Sequence, residues 1–152
     1  MKKLLVCLLT AVMAFGVSGC CDIVYEAFYV EGDTSDVQID YGVSALYTKT
    51  DMDAAVEVIK ENFRRCRGCV LHRVRYVSDA ECSVQNLERL KALQKAVDAG
   101  EAFTQCILFR IDFHSAKHDP NGFVFDAEYT EWNQWLLRAD GGDWILIDGG
   151  EG

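Results

Sequence analysis

The chain has 152 residues, half of them apolar and about a quarter charged, which suits one domain with a single core. Its formal net charge of −9 argues against a nucleic-acid partner, because gripping a phosphate backbone needs a surplus of lysine and arginine.

The first twenty residues, MKKLLVCLLTAVMAFGVSGC, open with two lysines, continue largely apolar from Leu4 to Val17 and end in small residues. That is the three-part order of a secretory signal. The run is shorter than the ~18 apolar residues expected of a membrane span, so an address is expected here and not a fold element. Val17-Ser18-Gly19-Cys20 resembles the lipobox of bacterial lipoproteins, with Val17 where leucine is commoner. The resemblance implies diacylglycerol on the Cys20 sulfur, cleavage before Cys20 and acylation of the new amino group. The mature chain is then expected in the cell envelope, held by covalent lipid on the extracytoplasmic face of the membrane. Two or three acyl chains suffice for this at ~0.8 kcal/mol per buried methylene. Loss of Lys2 and Lys3 with the signal would take the charge from −9 to −11. Anionic lipid repels such a body, so its attachment must be covalent or hydrophobic. Cys21 is a bystander beside the anchor.

Residues 21–47 show no sustained helical period and carry a polar EGDTSD centre, so they are expected to form a tether, with the compact unit at 48–152. In the next segment Met52, Ala55, Val56, Ile59 and Phe63 recur at three-and-four spacing, which predicts a helix with one buried stripe. Thr50 is its expected cap. Asp51 and Asp53 suit the positive end of the helix dipole, the arginines 64, 65 and 67 the negative end, and Gly68 the stop.

CVLHRVRYV alternates Val70, His72, Val74 and Tyr76 against Leu71, Arg73 and Arg75, a strand pattern. A second helix is expected with Leu87, Leu90, Leu93 and Val97 on one face, capped by Ser78 or Ser83 and stopped by Gly100. FTQCILFRIDFHS then places Phe103, Ile107, Phe109, Ile111 and Phe113 on one side, with Cys106, Leu108, Arg110, Asp112 and His114 on the other. AKHDPNG holds the only proline and predicts a loop. Two strands follow, at about 124–138 and 144–148, joined by the hairpin signal ADGGD.

Such an order predicts an α+β fold: a curved, mainly antiparallel sheet of about four strands with two helices packed on one face. Cystatin-like or nuclear-transport-factor-like cones are the nearest architectures, an analogy that carries no function with it.

Five cysteines remain after Cys20: 21, 66, 69, 82 and 106. Cys66 and Cys69 have the spacing of a redox pair. They fall where a helix ends, however, and that end of the dipole favours thiol over thiolate. Cys66, Cys69 and His72, with Cys82, Cys106, His114 and His118 further off, could supply zinc ligands, but C-x-x-C-x-x-H has no matching second half. Disulfides suit an extracytoplasmic chain better, and Cys69 with Cys106 is the first expected pair. No metal and no cofactor is expected. His72 is expected in the core and hydrogen-bonded, with His114 and His118 solvated. Common enzyme signatures, among them G-x-S-x-G, the P-loop and H-E-x-x-H, are absent. Trp132 and Trp135 should point to opposite faces. Trp132 then joins Arg73, Arg75, Arg110, Asp112 and His114 on a charged and aromatic outer face suited to a partner.

Four stretches carry a wider resemblance: Gly68 to His72, Phe103 to Cys106, Asp112 to Ser115, and Trp132 to Arg138 running on to GGDW at 141–144. Together they resemble a group of uncharacterised lipoprotein domains of Gram-positive bacteria over about the last 100 residues. Ala116 replaces a proline of that group. The resemblance implies an anchored domain and no activity. The expected function is therefore that of a binding module for a protein or small-molecule ligand. The competing reading is a Cys/His metal-binding protein or a small envelope enzyme.

Overall fold

The computed structural model describes residues 30–117 and 121–151. The expected signal sequence, Cys20, Cys21 and His118 lie outside the described residues. The compact unit spans Glu31–Gly152. Its elements are β1 (Gln38–Asp40), α1 (Lys49–Phe63), β2 (Val70–Tyr76), a 3-10 turn (Asp79–Glu81), α2 (Val84–Lys91), α3 (Gln94–Ala99), β3 (Phe103–His114), β4 (Glu128–Ala139) and β5 (Ile145–Gly150).

The fold is α+β with one open sheet of strand order β1-β2-β3-β4-β5. β2 to β5 form an antiparallel meander, and β1 adds to its edge parallel to β2, with Ile39 opposite Val74. The expected count of about four strands becomes five because residues 38–40, placed by sequence in the tether, join the sheet. Upstream of them Asp33 bridges to Val70, and Gly32 lies so close to the end of α1 that an added Cβ would come within 2.3 Å of the Phe63 carbonyl oxygen. Only glycine allows that approach.

Helix α1 buries the expected stripe of Met52, Ala55, Val56, Ile59 and Phe63, with the larger side chains contributing about 1.5–3 kcal/mol each. Its cap is Thr48 and not Thr50. The Thr48 hydroxyl accepts from the Asp51 N–H, and the Asp51 carboxylate accepts from the Thr48 N–H at 2.9 Å, a reciprocal box that sets the helix start two residues early. The expected second helix is broken in two. Ser83 caps α2, the chain kinks at Ala92 and Leu93, and α3 ends at Gly100 in a left-handed conformation (φ +67°). Leu90 and Ala96 are buried while Val97 is exposed, so the continuous stripe read from sequence does not form.

Two apolar clusters result. α1 packs on one face of the sheet with Val74, Tyr76, Ile107, Phe109, Ile111, Phe113 and Leu136, while Leu90 of α2 and Ala96 of α3 pack with Cys106, Leu108, Trp135, Leu137 and Ile147. Successive residues of β3 and β4 belong to opposite clusters, so helices cover both faces and not one. Coverage of the second face is partial: α2 and α3 are short, and Arg110, Asp112 and His114 emerge from β3 beyond them.

Candidate functional site

That uncovered stretch is shaped by two bulges. On one flank of β3, Leu71 pairs with Phe113 and Arg73 with Asp112, which leaves His72 as an extra residue in β2. On the other flank Ile111 pairs with Trp132 and Phe113 with Tyr129, which leaves an extra residue in β4 before Trp132. Bulges re-aim side chains, and these two lie at the same level of the sheet.

The β2 bulge reverses the alternation expected around His72. Leu71 is buried, Val70 and His72 are exposed, and His72 Nε2 lies 3.6 Å from Glu128 Oε1. A core histidine is thus corrected to a surface one. Beyond the bulge the phase recovers, so Arg73 faces Asp112 and Arg75 faces Arg110 on the open face.

The β4 bulge carries Glu131 in the left-handed region (φ +58°), a conformation that costs a side-chain-bearing residue about 1 kcal/mol or more. Its own contacts hold it there. The Glu131 N–H donates to Asp112 Oδ1 at 2.9 Å, and its carboxylate accepts from Arg75 at 2.5 Å and Arg110 at 2.9 Å, with Arg73 at 3.8 Å. Arg75 first and Arg110 second hold the Glu131 carboxyl below the usual carboxylate range. Arg73 pairs mainly with Asp112, at 2.6 Å, and Arg110 Nε donates to Asn133 at 3.0 Å. The three guanidiniums remain between a quarter and a half exposed, with donors left over for a ligand.

Next to them His114 joins two carboxylates, with Nδ1 at 2.8 Å from Glu128 and Nε2 at 3.1 Å from Asp126, itself at φ +53°. The hydrogen bond to Asp126, then that to Glu128, raises the His114 pKa above its ordinary value, and Asp126 is lowered in return.

No family model, curated protein or solved structure matches this chain. The chemistry of the site therefore rests on its own geometry.

Of the residues expected on the outer face, Arg73, Arg75, Arg110 and Asp112 converge on Glu131, and His114 stands beside them. Trp132 does not join their face. It packs edge-on against Phe113, Phe123 and Tyr129 in an aromatic cluster on the α1 side. Glu131, the centre of the cluster, was not among the expected residues, nor were Glu128 and Asp126. The only signal for Glu131 was an acid in a strand of a chain whose neighbouring strands carry arginines.

The expected Cys69–Cys106 pair is a correction. Cys69 precedes Val70, which pairs with His114, whereas Cys106 lies near the other end of β3, opposite Leu137. Eight residues of strand, about 26 Å, separate the two levels, far beyond disulfide reach. Cys82 and Cys106 are free thiols, and burial pushes Cys106 up to about 12. Cys66 and Cys69 fall in the turn after α1, where Cys69 is buried. Among the described residues no group of three or more His, Cys, Asp or Glu side chains is gathered for a metal ion.

A cavity of about 510 Å³ adjoins the cluster, lined by Arg110, Glu128, Tyr129, Thr130, Glu131, Trp132 and Glu151. It offers a polar, mixed-charge recess with two aromatic walls.

Proposed function

We propose that the chain is a cell-envelope lipoprotein, anchored through Cys20 to the extracytoplasmic face of the membrane, whose α+β unit is a binding module for a protein or small-molecule ligand. The signal-like N-terminus and lipobox support the address. The likeness to a cystatin-like or nuclear-transport-factor-like cone draws support from α1 lying across an antiparallel meander.

The observation that carries the binding reading is the convergence of Arg73, Arg75 and Arg110 on a strained Glu131 beside an open recess. Strain of this kind is retained where surrounding contacts over-determine it, and such places cluster at binding sites. Spare guanidinium donors recognise carboxylate or phosphoryl oxygens, and the carboxylates recognise amines.

Two measurements test this. Cys20→Ala should shift the chain from the membrane fraction to the soluble one and abolish lipid labelling. A thermal-shift screen of charged metabolites and short peptides on the full chain in nonionic detergent should yield hits that disappear in Arg75→Gln. Hits indifferent to Arg75, or none, would remove the binding face, and a lipid-free Cys20 would remove the anchor.

A further inference from the structure

The recess has an unusual lining: five consecutive residues of β4, Glu128 to Trp132, all border it. Side chains of a strand alternate between faces, so a cavity on one face meets every second residue. A cavity that meets all five runs along the strand's edge and reaches its main chain. The pairing agrees. β5 ends opposite this stretch, with Gly150 against Asn133, and among the described residues no strand borders Glu128–Trp132 on the side away from β3. In a strand with one neighbour, alternate residues turn their N–H and C=O groups outward, a ready template for another chain.

The walls state what kind of chain. Of the three lining carboxylates Glu131 is already matched by Arg75 and Arg110, with Arg73 nearby, so the acidic character of the groove comes from Glu128 and Glu151. Glu151 has no ion-pair partner among the described residues, and Glu128 is matched only by the imidazoles of His72 and His114. Tyr129 and Trp132 add aromatic surface, which attracts an ammonium or guanidinium group. The edge segment also lacks the lysine and proline that commonly discourage pairing. Among the described residues its protective device is the bulge, which turns the Glu131 N–H inward to Asp112 and confines pairing to Glu128, Tyr129 and Thr130.

We propose that this edge groove captures a short, extended, lysine- or arginine-bearing peptide segment of another protein as an added strand. The proposal rests on the binding-module reading and names its partner chemistry: main-chain hydrogen bonds supply affinity and the carboxylates select the basic side chains.

The probe is a labelled octapeptide alternating lysine with threonine, titrated by fluorescence polarisation into the full chain in nonionic detergent at low salt. Three controls accompany it: a glutamate-for-lysine version, a version N-methylated at alternate amides, and the chain carrying Glu128→Gln with Glu151→Gln, both surface changes that leave the core untouched. The lysine peptide should bind, weaken by about tenfold or more in the double variant, and weaken further with salt. The N-methylated and glutamate versions should fail. An absence of lysine-peptide binding, equal binding of the N-methylated version, or a concentration-dependent dimer that excludes the peptide would overturn the proposal. The last result would assign the edge to a second copy. Arg75-dependent hits in the thermal-shift screen without peptide binding would sink strand addition alone and leave the binding-module reading standing.

Discussion

Glu131 and Asp112 are joined across β3 and β4 by a hydrogen bond from main chain to side chain, the Glu131 N–H donating to Asp112 Oδ1 at 2.9 Å, and this bond holds Glu131 at φ +58° under the arginines. Removing the charge and removing the strain are separable. Glu131→Gln keeps the strained backbone and leaves Arg75 and Arg110 without their carboxylate, so the urea midpoint should fall by the equivalent of about 1 kcal/mol. Glu131→Gly loses the same pairs but adopts positive φ freely, so about 1 kcal/mol is returned and its stability should exceed that of Glu131→Gln. The reverse order would mean that no strain is held there.

The same pairs set a pH dependence. Glu131 is lowered in the folded chain, so its contribution is present above the unfolded carboxylate value and is lost as pH falls through the folded one. Asp51 acts in the same direction, held at about 2 by the Thr48 hydroxyl and then by Arg138, whose Nη1 lies 2.7 Å from Asp51 Oδ1. Asp51 thus ties the start of α1 to β4 and also receives Trp144 Nε1 on its carbonyl at 3.0 Å. Asp51→Ala should cost about 2 kcal/mol, the sum of a cap and a half-buried ion pair, and should flatten the stability loss between about pH 4 and about pH 2. Urea melts across that range check both.

Periodic features of the chain were readable because they repeat. The α1 stripe, the β3 alternation from Cys106 to His114 and the ADGGD turn between β4 and β5 stand where spacing put them, whereas Phe103, beyond a register shift before Gln105, joins the cluster opposite to the one its spacing predicts. Features made by one extra residue were not. His72 and the residue added beside Glu131 shift register without any compositional mark, yet they decide which side chains reach the open side of the sheet. The three-residue β1 is too short to alternate, and the α2–α3 break at Leu93 occurs in a run of good helix formers. The arginines of the site were therefore found by alternation on long strands, whereas Glu131 required the fold.

His114 should titrate above its ordinary value of 6.5. Asp126 is the first cause and Glu128 the second, so the stabilisation is fully present below the unfolded pKa and is lost as pH rises through the folded one. NMR titration of the imidazole should show the raised value, and Asp126→Asn should bring it down. The thermal midpoint of the chain should decline as pH rises above 6.5 and decline less in Asp126→Asn. An imidazole titrating below 6.5 would sever it from both carboxylates.

Cys106 gives the last prediction. Its thiol lies under α2, donates to the Ser83 carbonyl at 3.8 Å and is raised to about 12 chiefly by burial, and Cys82 is raised by the same cause. Alkylation proceeds through thiolate, so at about pH 8 the folded chain should modify Cys106 about a thousandfold more slowly than an ordinary thiol of pKa ~8.5. Urea above the unfolding midpoint should abolish the difference. Peptide mapping after brief iodoacetamide treatment reads both states. The result also bears on the envelope address, because a thiol that survives in an oxidising compartment must be shielded by packing. A Cys69–Cys106 bridge in the native chain would require the β2–β3 register to be undone, since Val70 pairs at His114 while Cys106 pairs at Leu137. Such a bridge would therefore overturn the sheet itself, and with it the alignment that brings Arg73 and Arg75 to Glu131.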